Sequence, residues 1–112
     1  MVAKEKIKMN KLRSYGIGYL AMFDILREKA QTIGYCLAVH GSLIRDFDII
    51  AVPWVEDCAD AEELVELICE TTGGFIAVGD TFKNKPHGRI AWAIQLGGGP
   101  YIDLSVMPKV KE

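Results

Sequence analysis

Two aspartates, Asp46 and Asp48, stand one residue apart in "HGSLIRDFDIIAVP", at the head of an apolar run. Positions i and i+2 of a strand point to the same face about 7 Å apart, so this spacing sets two carboxylates side by side. A third acid, Asp103, is the lone carboxylate in the later apolar segment "YIDLSVMP". If its strand lies beside the first, at about 4.8 Å, the three converge. Ionised carboxylates so close repel one another unless some take up protons or a divalent cation neutralises them. Magnesium, with manganese as a substitute, is the hard cation that such oxygen donors suit, and a phosphoryl-transfer site needs that metal with positions open to phosphate oxygens.

Positive side chains that could face phosphates lie nearby. Arg45 sits between Ser42 and Asp46 and could pair with the acids or meet a phosphate. Lys85, His87 and Arg89 recur at every second position of "KNKPHGRI", and in an extended segment they would share one face as a cationic rim. His40 precedes Gly41 and Ser42 and reads first as a packed, hydrogen-bonded strand-end residue. Ser42 lacks the second glycine of a GxSxG elbow, which argues against a hydrolase nucleophile. Trp54 follows Pro53 and reads as a cover for the sheet edge, with base stacking beside the metal site as the alternative. Trp92 reads as core.

The elements that must position these residues follow from hydrophobic periodicity. Leu20, Phe23, Ile25, Leu26, Ala30 and Ile33 recur near a 3.6-residue period and predict an amphipathic helix from Tyr19 to about Ile33, stopped by Gly34. A second helix is predicted from about Asp60 to Thr71, with Leu64, Leu67 and Ile68 on one stripe, acids in its first turn and Gly73 as its stop. Short apolar or alternating runs predict strands over 35–40, 46–53, 74–80, 89–96 and 101–108, with "GGGP" as the hairpin turn before the last. The order predicts an α+β (mixed α/β) domain with a single mixed sheet of about five strands, covered chiefly on one side by two main helices.

The chain of 112 residues is half hydrophobic with a formal net charge of −2. That fits one folded domain and gives no electrostatic sign of nucleic-acid binding overall. Basic residues do cluster in 1–16, through Lys4, Lys6, Lys8, Lys11 and Arg13 against Glu5. This segment reads as a partly flexible, solvated terminus, with a phosphate-contacting arm as the alternative, and 17–112 as the domain proper. The odd set Cys36, Cys58 and Cys69 has no CxxC spacing and reads as reduced thiols of a cytoplasmic protein. No apolar run is long enough to span a membrane, and no signal-peptide core follows the charged start.

Taken together, "VHGS", "RDFDIIAVP" and "YIDLSV" resemble the nucleotidyltransferase superfamily typified by DNA polymerase beta, and most closely its small phage- and bacteria-encoded relatives. The resemblance covers roughly residues 20–107. It implies a nucleotidyltransferase-like core, with Gly41 and Ser42 at the phosphates of a nucleoside triphosphate. It also implies Asp46 and Asp48 as paired magnesium ligands and Asp103 as third ligand or general base. Arg45, Lys85 and Arg89 would then assist phosphate binding. Family members usually have eight or more residues between Gly-Ser and the acidic pair, and here only Leu43, Ile44 and Arg45 intervene. Two expectations result: magnesium-dependent nucleotidyl transfer to an unidentified acceptor, with a second subunit of a homo-oligomer or another partner completing the site, or a catalytically inactive binding or regulatory module for nucleotide, nucleic acid or a protein partner.

Overall fold

The computed structural model describes the backbone of residues 3–109 and the side chains of residues 15–109. Helix α1 (Ala3–Thr32) leads into strands β1 (Tyr35–His40) and β2 (Asp46–Pro53), then helix α2 (Ala61–Thr72). A two-residue strand β3 (Lys83–Asn84), a 3-10 turn (Pro86–Gly88), β4 (Ile90–Gln95) and β5 (Tyr101–Val106) complete the elements of the described residues. The five strands form one mixed sheet in the order β1-β2-β5-β4-β3. This is the expected α+β architecture, two helices on a single five-stranded sheet.

Strict alternation sorts the sheet into two faces. On one face Phe47, Ile49 and Ala51 of β2 sit opposite Ile102, Leu104 and Val106 of β5, and all six are buried. Trp92 and Ile94 extend this layer onto β4. Both helices pack here: Tyr19, Leu26 and Ala30 of α1 and Leu64, Val65 and Ile68 of α2 join the same core. Tyr19 stacks on Phe47 with ring centroids 4.9 Å apart. The opposite face carries Asp46, Asp48, Asp103 and Ser105, and among the described residues no helix packs against it.

Several elements differ from the sequence expectation. Helix α1 begins at Ala3 rather than Tyr19. Its buried stripe runs through Tyr19, Leu26 and Ala30, with Met22, Phe23 and Ile33 partly buried, while Leu20 and Ile25 are 56% and 53% exposed. Those two lie off the i, i+3/i+4 line that Tyr19 begins. In α2, Val65 takes the core position expected of Leu67. Gly34 and Gly73 end their helices as expected, both with positive φ.

The segment 74–80 is not a strand. Phe75 makes one isolated antiparallel bridge with Gln95, and the chain then turns, with Asp80 N–H donating to the Ala77 carbonyl at 2.9 Å. The outer edge of β4 offers limited pairing length, held at one end by Phe75 and at the other by β3. Residues between must leave the sheet, and Val78 is fully solvent-exposed.

Candidate metal centre

Strands β2 and β5 run parallel with Asp48 directly opposite Asp103 and Asp46 opposite Tyr101. The shared direction means that both strands present their first residues at the same end of the sheet, so all three carboxylates meet there. Asp46, Asp48 and Asp103 are each half-buried, and one oxygen of each lies within 4.8 Å of the others. Two oxygens bound to one magnesium at 2.0–2.1 Å are roughly 3 to 4 Å apart. Small side-chain rotations on the open face close that difference. The donor set therefore fits a hard divalent cation: three carboxylates, no sulfur and solvent access for the remaining positions.

Burial and the neighbouring charges act together on the central acid. Burial, followed by the neighbouring charge of Asp46, raises the Asp48 pKa from its ordinary 3.8 to about 6. A hydrogen bond with Asp46 and the charge of Asp103 add to the rise, and His40 opposes it. His40 faces Asp48 across the β1–β2 ladder and is exposed, which corrects the expectation of a packed histidine. At the end of β1 its neighbours on the open face are the acids and solvent. Tyr101 donates a long hydrogen bond of 3.4 Å to Asp46 Oδ2. Its phenol is pushed up by burial and by the Asp46 charge.

Gly41 is required by close approach. A Cβ there would collide with Asp48 Oδ2, and its φ of 79° lies in the left-handed region. The following turn is tight: Leu43 also has positive φ, at 61°, and Ile44 N–H donates to Ser42 Oγ at 3.3 Å. Helix α1 anchors it from behind. Tyr19 Oη donates to the Arg45 carbonyl at 2.8 Å, and a Cβ on Gly16 would lie 2.9 Å from the Leu43 carbonyl oxygen. Gly41, Ser42 and Arg45 are all exposed beside the acids. Arg45 forms no ion pair with them among the described residues.

The cationic rim is split. His87 takes a left-handed φ of 67° inside the Pro86–Gly88 turn, so Lys85, His87 and Arg89 do not alternate along an extended segment. Pro86 starts this turn and Gly88, at φ 75°, completes it. Arg89 folds onto β5, where its guanidinium donates to Ser105 Oγ and the Pro86 carbonyl, each at 3.0 Å. Ser105 is the next residue after Asp103 on the open face, about 7 Å along the strand. Lys85 instead lines a cavity of about 220 Å³ together with Lys83, Gln95, Tyr101 and Asp103. Lys83 and Tyr101 escaped the sequence reading: a two-residue strand has no periodicity to read, and a tyrosine opening a strand looks like ordinary alternation.

Trp54 is 74% exposed and follows the far end of β2, where Pro53 pairs with Tyr35. It lies roughly 20 Å along the strand from Asp48, too far to stack on anything bound at the acids. It lines a shallow hollow with Tyr35 and Cys36 of the edge strand β1. Trp92 is core, as expected. Cys58 is buried and Cys36 and Cys69 half-buried, all three as free thiols. No helix among the described residues is long and apolar enough to cross a membrane.

Fold and site together define a class by geometry: an α+β domain with a carboxylate triad on the open face of a mixed sheet, at the end shared by two parallel strands. Comparison of the chain with protein-family models, curated proteins and solved structures returned no match.

Proposed function

We propose that the protein is a nucleotidyltransferase-like enzyme that moves a nucleotidyl group from a nucleoside triphosphate to an acceptor hydroxyl. The observation that carries this reading is the convergence of Asp46, Asp48 and Asp103 on the open face of the sheet. Their mutual repulsion costs stability without a cation, and a merely structural role gives no return for it. Magnesium held by the three acids would supply Lewis-acid stabilisation of phosphate charge.

The chain's own residues divide the remaining work. Gly41 and Ser42 present exposed backbone and hydroxyl donors to the triphosphate, and Arg45 adds a guanidinium. Asp103 faces the cavity side and receives the proton of the attacking hydroxyl. The hydroxyl oxygen forms a bond to the α-phosphorus as the bond to pyrophosphate breaks, and pyrophosphate leaves with that electron pair. Calorimetry with Mg²⁺ and each nucleoside triphosphate tests the reading: binding that needs both metal and Asp48 is expected. Equal heats for wild type and Asp48→Asn would sink it.

A second reading has an observation of its own. Residues 41–45 form a bend that leads straight into β2 and open no helix, so triphosphate cannot rest on a helix N-terminus there. A module that binds nucleotide without transferring it fits that geometry. Metal-dependent binding with no pyrophosphate released, whatever acceptor is offered, would select it.

A further inference from the structure

The cavity beside Asp103 has a chemistry that the metal centre does not use. It holds about 220 Å³ and is lined by Asp80, Lys83, Lys85, Gln95, Tyr101 and Asp103. Its floor is β4, where Ala93 pairs with Asp103 and Ala91 with Ser105. Two alanines in succession on the open face leave the hollow. Lys83 forms the wall, opposite Ala91 on β3. Neither Lys83 nor Lys85 forms an ion pair among the described residues. Two lysines without an ion-pair partner among the described residues thus line a polar hollow with the Gln95 amide, all able to donate to one anion, while the Tyr101 hydroxyl is turned to Asp46.

We propose that this cavity is the acceptor subsite and that the acceptor carries a phosphate group, held by Lys83 and Lys85. The proposal rests on the transferase reading for the identity of the reacting hydroxyl. Three features assign the cavity to the acceptor and not to the triphosphate. Asp103 lines it, whereas Asp46 and Asp48 do not, so a hydroxyl inside meets the carboxylate that takes its proton. The exposed donors of Gly41, Ser42 and Arg45 lie on the opposite flank of the triad, toward β1. The volume is below the usual 300–1,000 Å³ of small-molecule sites and suits a sugar phosphate better than a whole nucleoside triphosphate. From β5 to β3 is two strand spacings, about 10 Å. Lysine side chains reaching back across that gap leave the hydroxyl-to-phosphate span of a pentose phosphate. In the transfer step this phosphate is unchanged: only the hydroxyl's O–H bond and the donor's bond to pyrophosphate break.

The test is a backbone-amide NMR titration in EDTA with inorganic phosphate, ribose 5-phosphate, ribose and a short single-stranded oligonucleotide. Phosphate and ribose 5-phosphate are expected to shift the amides of Thr81, Lys83, Lys85 and Gln95, and ribose to shift none. A preference for ribose 5-phosphate or for the oligonucleotide supports the phosphate subsite and assigns the phosphate's source. Lys83→Ala and Lys85→Ala should each weaken binding by about tenfold, the worth of one charge-assisted hydrogen bond, and Lys→Arg should restore most of it. Both lysines are exposed, so these variants should fold, which circular dichroism checks. Unchanged affinity in both alanine variants, or displacement of ribose 5-phosphate from these amides by magnesium pyrophosphate, overturns the proposal. Mn²⁺ binding followed by electron paramagnetic resonance separates the two claims. Absence of an Asp48-dependent Mn²⁺ site removes the transferase reading while the phosphate shifts survive. Mn²⁺ binding without phosphate shifts removes the subsite alone.

Discussion

Replacing Asp48 with asparagine should stabilise the metal-free protein at pH 8. Asp48 titrates near 6 in the folded chain against an ordinary 3.8. An acid with a raised folded pKa binds its proton more tightly when folded, so its stabilising contribution is complete below about pH 4 and is lost as pH rises through 6. A shift of about two units corresponds to about 3 kcal/mol. The carboxylate is half-exposed, and solvent screening reduces this to about 1 to 2 kcal/mol. The Asp48→Asn substitution removes the charge while keeping the shape, and the new amide can donate to Asp46.

Thermal denaturation in EDTA reads the effect. For a domain of this size about 1 to 2 kcal/mol raises the Tm by about 5 °C or more at pH 8. The difference between variant and wild type should shrink as pH falls from 7 to 4, a comparison that cancels the other carboxylates. Saturating Mn²⁺ should invert the order, since ligand at about 100 times its Kd adds about 2.7 kcal/mol to the protein that binds it. An Asp48→Asn variant that is no more stable than wild type at pH 8, or a difference independent of pH, would refute the claim that these three acids share one electrostatic site.

Gly41→Ala should cost about 1 to 2 kcal/mol, from a Cβ driven against Asp48 and a left-handed backbone, and should weaken Mn²⁺ binding, measured by denaturation and by calorimetry. Tyr19→Phe should cost about 1 kcal/mol by removing the hydrogen bond to the Arg45 carbonyl. Amide exchange should then quicken at 42–45 before anywhere in β2. Arg89→Ala should cost about 1 kcal/mol through the lost bond to buried Ser105, yet leave inorganic phosphate affinity unchanged, which separates its packing role from that of Lys83 and Lys85.

How much of this was legible in the sequence depended on the range of the physical signal. A carboxylate inside an apolar alternating run is a local anomaly, so Asp46, Asp48 and Asp103 stood out. Whether the three would meet rested on a condition the sequence left open, that the two strands be neighbours, and the parallel β2–β5 pairing meets it by setting Asp48 opposite Asp103. Features decided by competition between distant segments were not legible. Whether 74–80 pairs depends on how much of the β4 edge β3 already occupies, and Lys83 acquires a face only through that two-residue pairing. His40 was weighed as a lone strand-end histidine, and only the β1–β2 register sets it opposite Asp48. The Pro86–Gly88 turn defeated the alternation of Lys85, His87 and Arg89, although proline and glycine were in plain view as turn formers.

The three-residue gap between Ser42 and Asp46 determines which part of the protein must make the site rigid. A longer connection could build its own helical turn behind the Gly41–Ser42 donors. Leu43, Ile44 and Arg45 cannot, and the turn they form needs a left-handed leucine, a conformation that persists only when its surroundings hold it. Those surroundings are one face of α1: Gly16 admits the Leu43 carbonyl, and Tyr19, three residues on, grips the Arg45 carbonyl while its ring stacks on Phe47. Phe47 is the core residue between the two aspartates. The same tyrosine therefore clamps the loop and packs on the strand that delivers the acids, so α1 couples the order of the Gly41–Arg45 turn to the position of the carboxylates. On the other flank Lys83 and Lys85 sit on or beside the sheet and need no such support. One side of the triad is held by a helix and the other by the sheet, which is how so short a connection can still present donors on both sides of three acids.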